Sequence, residues 1–356
     1  MTDSAMTSYR DAGVDIDAQD TALAGIKKLA RSTFGPEVLA DVGLFGGLFR
    51  LPVEGMQEPV LVASADGVGT KLAVAKRVGD LSTVGADLVN HCVNDILVQG
   101  AKPLFFLDYI GTGVLDPKQT VSLVKGVRDG CKENGCALLG GELAEMPGFY
   151  QEGDFDLVGF VVGLVDRPKI LDGSRVEEGD ILVGLPSSGL HTNGYSLARK
   201  VLFEIEGLGV EDRVPGTKQR VGEALLAIHR SYLRTVTPVL EHPAVHALAH
   251  ITGGGITDNL PRVLPAKTHA LVKLGCWEVP EIFHALQKGG GVATDEMFRV
   301  FNMGVGMIVV VAQDGLGEAL EGLTSKGVKP FVMGSVKSGG QGVVYELESC
   351  PSEENR

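Results

Sequence analysis

Ser64-Ala65-Asp66-Gly67-Val68-Gly69-Thr70-Lys71-Leu72 follows an apolar, strand-like run, Val60 to Ala63, and breaks it with small residues. Gly67 and Gly69 let backbone approach a ligand without Cβ collisions, and a helix beginning near Thr70 would aim unpaired N–H groups at an anion. Lys71 adds positive charge. Asp66, at the strand's end, repels bare phosphate unless a divalent cation lies between, so the stretch reads as a metal-nucleotide site. An ordinary Asp-Gly turn explains the same residues with no ligand at all.

The surrounding chain sets bounds on that reading. Its 356 residues, 44% hydrophobic and 22% charged, predict a soluble globular protein of two domains. A net charge of -13 and a pI of 5.1 disfavour nucleic acid and anionic membranes, so an anionic substrate needs a local capture site. The 49 glycines recur as turns between apolar runs, which suits backbone-lined clefts. No Cys-x-x-Cys spacing supports a zinc ribbon, and no apolar run reaches the ~18 residues of a membrane span. The acidic start lacks the pattern of a secretory signal, and a cytoplasmic location is expected.

Along the chain, Asp20 to Arg31 reads as a helix that leaves Lys27 off its apolar face. Ser82 to Gln99 reads as a second helix with Asp87, His91, Asn94 and Asp95 on a polar stripe. Asn94 and Asp95 can share a cation with Asp66 there, whereas Asp87 reads as an ordinary solvated acid. Strand Pro103 to Ile110, helix Asp116 to Asn134 and strand Cys136 to Leu139 make a β-α-β unit. It ends in Gly140-Gly141-Glu142, where open α/β sheets place ligands. After Asp166 the second half repeats the rhythm. A polar loop from Pro186 to Ser196 carries His191 and Asn193, and Val221 to Leu240 reads as one helix. His242, His246 and His250 recur at intervals of four but read as structural, because no acid or cysteine nearby completes a metal shell. Thr252-Gly253-Gly254-Gly255 invites a phosphate or carboxylate.

Walker A, dinucleotide-fold and Gly-x-Ser-x-Gly patterns are all absent. Seven ordered segments instead resemble one family: 13–17, Asp66-Gly67-Val68-Gly69-Thr70-Lys71-Leu72, Cys92-Val93-Asn94-Asp95, 103–109, Gly140-Gly141-Glu142-x-Ala144-Glu145-Met146-Pro147-Gly148, His191-x-Asn193-Gly194-Tyr195-Ser196-Leu197 and Thr252-Gly253-Gly254-Gly255. The chain resembles the phosphoribosylformylglycinamidine cyclo-ligases, also called aminoimidazole ribonucleotide synthetases, over nearly its whole length.

The resemblance implies an α/β (α+β) fold of two α/β domains, 1–170 and 171–348 with a tail at 349–356. First-domain strands of two subunits would form a dimer-shared β-barrel. It also implies ATP- and Mg²⁺-dependent ring closure of formylglycinamidine ribonucleotide in purine biosynthesis. Carried onto matching positions, Lys27, Asp66, Asp95 and His191 are catalytic, and Gly67, Gly69, Thr70, Lys71 and Asn94 bind the nucleotide. Glu142, Asn193, Gly253, Gly254 and Gly255 face the second substrate, and Asp66, Asp95 and Glu142 hold metal. The turn Gly43-Leu44-Phe45-Gly46-Gly47 departs from the family's glycine-rich pattern. A related ATP-dependent enzyme, such as selenophosphate synthetase or thiamine-monophosphate kinase, is the alternative, although Met1 to Asp41 has no cysteine to handle selenium. A nucleotide sensor without turnover is the alternative from another class.

Overall fold

The computed structural model describes residues 8–347, so the 349–356 tail lies outside the described residues. Helix α1 (Ile16–Arg31) starts where the Asp15 carboxylate accepts the Ala18 N–H. Strand β1 (Pro59–Gly67) ends in the glycine turn, and α2 (Lys71–Val78) begins directly after it. Next come α3 (Ser82–Leu97), β2 (Lys102–Thr112), α4 (Pro117–Asn134), β3 (Ala137–Glu145) and β4 (Phe155–Asp166). Helix α4 has strong local signals at both ends: Asp116 caps it, Pro117 opens it, and left-handed Gly135 closes it.

These strands form one sheet in the order β1-β4-β2-β3, antiparallel except for β2 and β3, which α4 connects in parallel. Strand β3 does not stop at its glycines as expected. It continues through Gly140 and Gly141, because a Cβ on Gly141 would lie within 2 Å of Asp108 Oδ1. The glycines allow strand to approach strand and are not a ligand loop. Helices α1, α3 and α4 cover one face of this sheet. The other face carries Leu61 and Phe160, 54% and 40% exposed.

The second unit holds β5 (Ile181–Pro186), α5 (Tyr195–Arg199), α6 (Val221–Leu225), α7 (Leu233–Val236), β6 (Val245–His250) and α8 (Gly255–Asn259). It continues with β7 (Thr268–Leu274), α9 (Glu281–Gly290), α10 (Thr294–Val300), β8 (Val305–Val311), α11 (Leu316–Thr324), β9 (Phe331–Ser338) and β10 (Val343–Leu347). Its six strands run β10-β7-β9-β5-β8-β6, with only the β10–β7 pair parallel. Among the described residues no helix is long and apolar enough to cross a membrane. Among the described residues no barrel closes, since the first sheet remains open at β1 and β3.

The helix expected over 221–240 is broken into α6 and α7, and residues 226–232 lie along α3 instead. Their backbone groups are taken by buried side chains: Lys71 Nζ donates to the Ala227 carbonyl, and Asp87 accepts the His229 N–H. Asn90 donates to the His229 carbonyl, while Asn94 donates to that of Arg230 and accepts the Tyr232 N–H. Paired in this way, the segment gains nothing from helical bonds.

Candidate active site

Helix α3 positions the site because nearly all of it is buried, polar residues included. Asp87, Asn90 and Asn94 grip the 226–232 segment, and His91 and Asp95, one turn apart, point into a cleft between the two sheets. The cleft holds about 470 Å³. Asp66, from the end of β1, shares its wall with His91, Asp95 and His250, the last residue of β6. Asn193, Thr252, Gly253, Asn259 and Arg262 line the facing side.

Hydrogen bonds hold the acidic wall together. His91 Nε2 lies 2.7 Å from Asp66 Oδ2 and 3.7 Å from Asp95 Oδ2, while His250 Nδ1 lies 2.9 Å from Asp95 Oδ1. Ser64 donates to Asp95, and the Gly67 N–H donates to Asp66. Burial opposes charge on Asp66, yet the hydrogen bond and attraction from His91 outweigh it and keep the carboxyl below its usual value. Asp95 is likewise lowered, its burial outweighed by His250 and His91. Burial also works against a charged His91, but Asp66 and Asp95 together lift its pKa. The wall therefore carries two ionised carboxylates with oxygen atoms exposed to the cleft, a hard donor set suited to a divalent cation.

The structure brings together only part of the residue set expected from sequence. Asp66, Asp95, Asn193 and Gly253 line one cleft. Gly67, Gly69 and Thr70 form the adjoining turn, with Gly69 in a left-handed conformation and the Thr70 hydroxyl 3.2 Å from Ser196.

Lys71 is a correction. Its ammonium is fully buried, 2.8 Å from Asp87, and donates to the His191 and Ala227 carbonyls, so no donor is left for phosphate. Asn94 is spent on the 226–232 backbone in the same way. His191 is buried, has φ of 61° and accepts the Ser188 N–H at Nε2; burial holds its pKa well below the usual histidine value. It does not line the cleft, and a neutral ring behind the wall is poorly placed to carry protons to a ligand. Gly254 and Gly255 open α8, and a Cβ on Gly255 would meet the Phe298 carbonyl at 2.0 Å.

Glu142 is exposed on β3, at the opposite sheet edge from Asp66. Three strand spacings, about 14 Å, separate those edges, too far for both carboxylates to hold one ion. Lys27 lies beside Gly43, so α1 and the glycine run form a separate surface.

Sequence reasoning set aside His250 and did not single out His229. His242, His246 and His250 each have an acid after all, Glu318, Asp180 and Asp95, every one from a distant part of the chain. His229 lies behind the wall, its Nε2 3.0 Å from that of His250, and stacks on His191 with ring centroids 4.0 Å apart. His191, His229 and His250 cluster closely but make a poor metal trio. An ion sits in the plane of each imidazole that binds it, and the first two rings are nearly parallel at 20°.

The comparisons agree with this architecture. Residues 49–165 match the family described as AIR synthase related protein, N-terminal domain, and residues 177–346 match its C-terminal domain. Proteins named phosphoribosylformylglycinamidine cyclo-ligase are similar at 51% identity in Geobacter metallireducens and 53% in Citrifermentans bemidjiense, each covering 92% of this chain and 94% of the relative. A third, from Sorangium cellulosum, is 52% identical over 94% of this chain and 96% of its own. Among solved structures, thiamine-monophosphate kinase from Stenotrophomonas maltophilia has a TM-score of 0.69 at 17% identity, covering 92% of this chain and 97% of that one. The hydrogenase maturation protein HypE in complex with ATP has a TM-score of 0.64 at 19% identity, covering 90% and 89%. At such identities these two show the shared fold alone. With both family domains matched in order and half of the residues identical to named enzymes over nearly full length, the chain belongs to the AIR synthase related family, among the phosphoribosylformylglycinamidine cyclo-ligases.

Proposed function

We propose that the protein closes formylglycinamidine ribonucleotide into 5-aminoimidazole ribonucleotide at the expense of ATP, giving ADP and phosphate, in purine biosynthesis. The observation that carries this reading is the cleft itself, with two ionised carboxylates on one wall and polar groups with Arg262 on the other. A formyl amide oxygen is a poor leaving group. Its phosphorylation by ATP makes the carbon attackable, the substrate's amidine nitrogen closes the ring, and phosphate departs. The protein need supply no nucleophile, so positioning and charge neutralisation dominate.

Asp66 and Asp95 would hold Mg²⁺, which supplies charge neutralisation at the triphosphate when bound. His91 and His250 orient those carboxylates through hydrogen bonds. Arg262 offers a planar cationic partner for a substrate phosphate, and Asn193 and Asn259 offer amide groups to the rest of the substrate. Thr70 and the glycines at 67 and 69 border the nucleotide in this proposal, whereas Lys27, on the separate surface beside Gly43, is left out of it.

The domain bounds 1–170 and 171–348 belong to the same proposal, as does a homodimer. The apolar outer face of the first sheet, with Leu61 and Phe160, would meet its copy to complete a shared barrel. The test is a coupled assay on purified protein. ATP consumption should require both formylglycinamidine ribonucleotide and Mg²⁺, with aminoimidazole ribonucleotide formed mole for mole. Equal hydrolysis without that substrate overturns the reading.

A further inference from the structure

A second opening of about 470 Å³ lies toward the other end of the first sheet. Lys102, exposed at its rim, pairs with Leu164 of β4, whereas Asp66 pairs with Gly159. Five residues of strand, ~17 Å, therefore separate this rim from the Asp66 wall of the cleft. Phe34 and Phe49 give the opening an apolar side, and Lys102 and Lys132 set two ammonium groups against the single carboxylate of Glu37. Cys131 and Cys136, both free thiols, belong to its lining. The proposed ring closure uses neither.

The end of α4 brings the two cysteines together. Gly135, with φ of 67°, turns the chain back in the left-handed conformation, and its N–H and that of Cys136 both donate to the Cys131 carbonyl, the second at 3.0 Å. Such a closure folds the residue after the glycine over the last turn of the helix, where two apolar side chains commonly touch. Here the two are thiols, and their side chains interact. A disulfide requires Cα atoms roughly 4.4–6.8 Å apart, a spacing that one backbone hydrogen bond across a tight helix end maintains. Burial, together with the neighbouring Cys136, pushes the Cys131 thiol up, whereas Cys136 keeps a slight exposure, 2%, that Cys131 lacks. Cys136 is thus the thiol that a reagent in the opening meets first.

We propose that Cys131 and Cys136 form a dithiol modification site, oxidised to a disulfide by a small anionic disulfide of the glutathione class that enters this opening. Cys136 gives up its proton and attacks one sulfur of the reagent. The reagent's S–S bond breaks, a mixed disulfide forms on Cys136, and the first reagent thiolate leaves with that proton. Cys131 then attacks the Cys136 sulfur, closing the Cys131–Cys136 bond and releasing the second reagent thiol with the Cys131 proton. Two protein thiols lose two electrons and one reagent disulfide becomes two thiols, so the exchange balances. Lys102 and Lys132 recognise the reagent's carboxylates. Burial makes the first attack slow. It does not make the product unfavourable, because the second thiol is held beside the first and closes the bond without diffusing to it.

The test holds the full-length protein in buffers of reduced and oxidised glutathione until its thiol content is constant, then maps each cysteine by mass spectrometry. The expected product has Cys131 linked to Cys136 and the buried Cys92 thiol untouched. Cys131→Ser should stop at a single glutathione mixed disulfide on Cys136, because the thiol that would resolve it is gone. Lys102→Gln combined with Lys132→Gln should slow oxidation by oxidised glutathione several-fold and leave the rate with neutral hydroxyethyl disulfide unchanged. Unsubstituted protein that keeps both thiols in the most oxidising buffer overturns the site, a readout that needs no variant to fold. Oxidation that reaches Cys92 as readily comes from global opening and overturns it too. Lysine substitutions that affect both reagents alike, or neither, overturn the anionic class of the reagent.

Discussion

Lys71 Nζ lies 2.8 Å from the Asp87 carboxylate, with neither side chain reached by solvent. Burial works against both charges, lowering the pKa of Lys71 and raising that of Asp87, and the pair survives through mutual attraction and three backbone partners. Removing one partner strands the other. Lys71→Met is therefore expected to cost about 3–5 kcal/mol of stability, measured by denaturant unfolding. A phosphate-binding lysine would behave in the opposite way, with unchanged stability and a raised KM for ATP. That outcome would return Lys71 to the nucleotide site.

How much of this was legible in the sequence depends on the range of the interaction. Helix α4 was, because Asp116, Pro117 and Gly135 cap it from within a few residues. The shared wall of Asp66 and Asp95 was also within reach, since only the short helix α2 separates β1 from α3 in sequence. The role of Lys71 was not. A lysine is solvated by default, and its three acceptors come from α3 and from loops 120 and 156 residues away. His250 was set aside for want of an acid, and the acid it uses precedes it by 155 residues. The break in the 221–240 helix was hidden for the same reason, as its backbone partners are side chains of α3.

Asp108 offers a pH test away from the cleft. It is half-buried in β2, and its desolvation lifts the pKa from 3.8 to about 7. A carboxyl whose folded pKa is raised favours the folded state while protonated, and stability falls as pH rises from about 4 through about 7. Asparagine does not titrate. Asp108→Asn should therefore match the parent near pH 4 and exceed it in melting temperature by pH 8. A difference that stays constant between pH 4 and pH 8 would show that the carboxyl is not strained.

The open sheet face predicts assembly. A glutamate at Phe160 would place charge in the middle of that face, and a charge buried without a partner in an interface is costly. The unsubstituted protein should sediment as a dimer at micromolar concentration, and Phe160→Glu should shift it to monomer while the fold persists by circular dichroism. An active monomer before any substitution would remove the shared barrel from the proposal.

Asp66 allows metal binding to be separated from turn-capping. Its carboxylate takes the His91 and Gly67 N–H groups, so a structural account predicts that Asp66→Asn loses ~1 kcal/mol of stability and leaves turnover alone. The metal account differs. In a protein of net charge -13, a carboxylate beside a triphosphate is unfavourable unless a cation bridges them. Asparagine keeps the size and one oxygen but removes the charge that holds the ion. Turnover should then fall by about tenfold for each ~1.4 kcal/mol of lost transition-state stabilisation, and the magnesium midpoint should move to higher concentration. The decisive measurement pairs melting temperature with steady-state turnover across a magnesium titration. A variant that melts early, turns over normally and keeps its magnesium midpoint would take Asp66 out of the metal site, and with it the central electrostatic step of the proposed reaction.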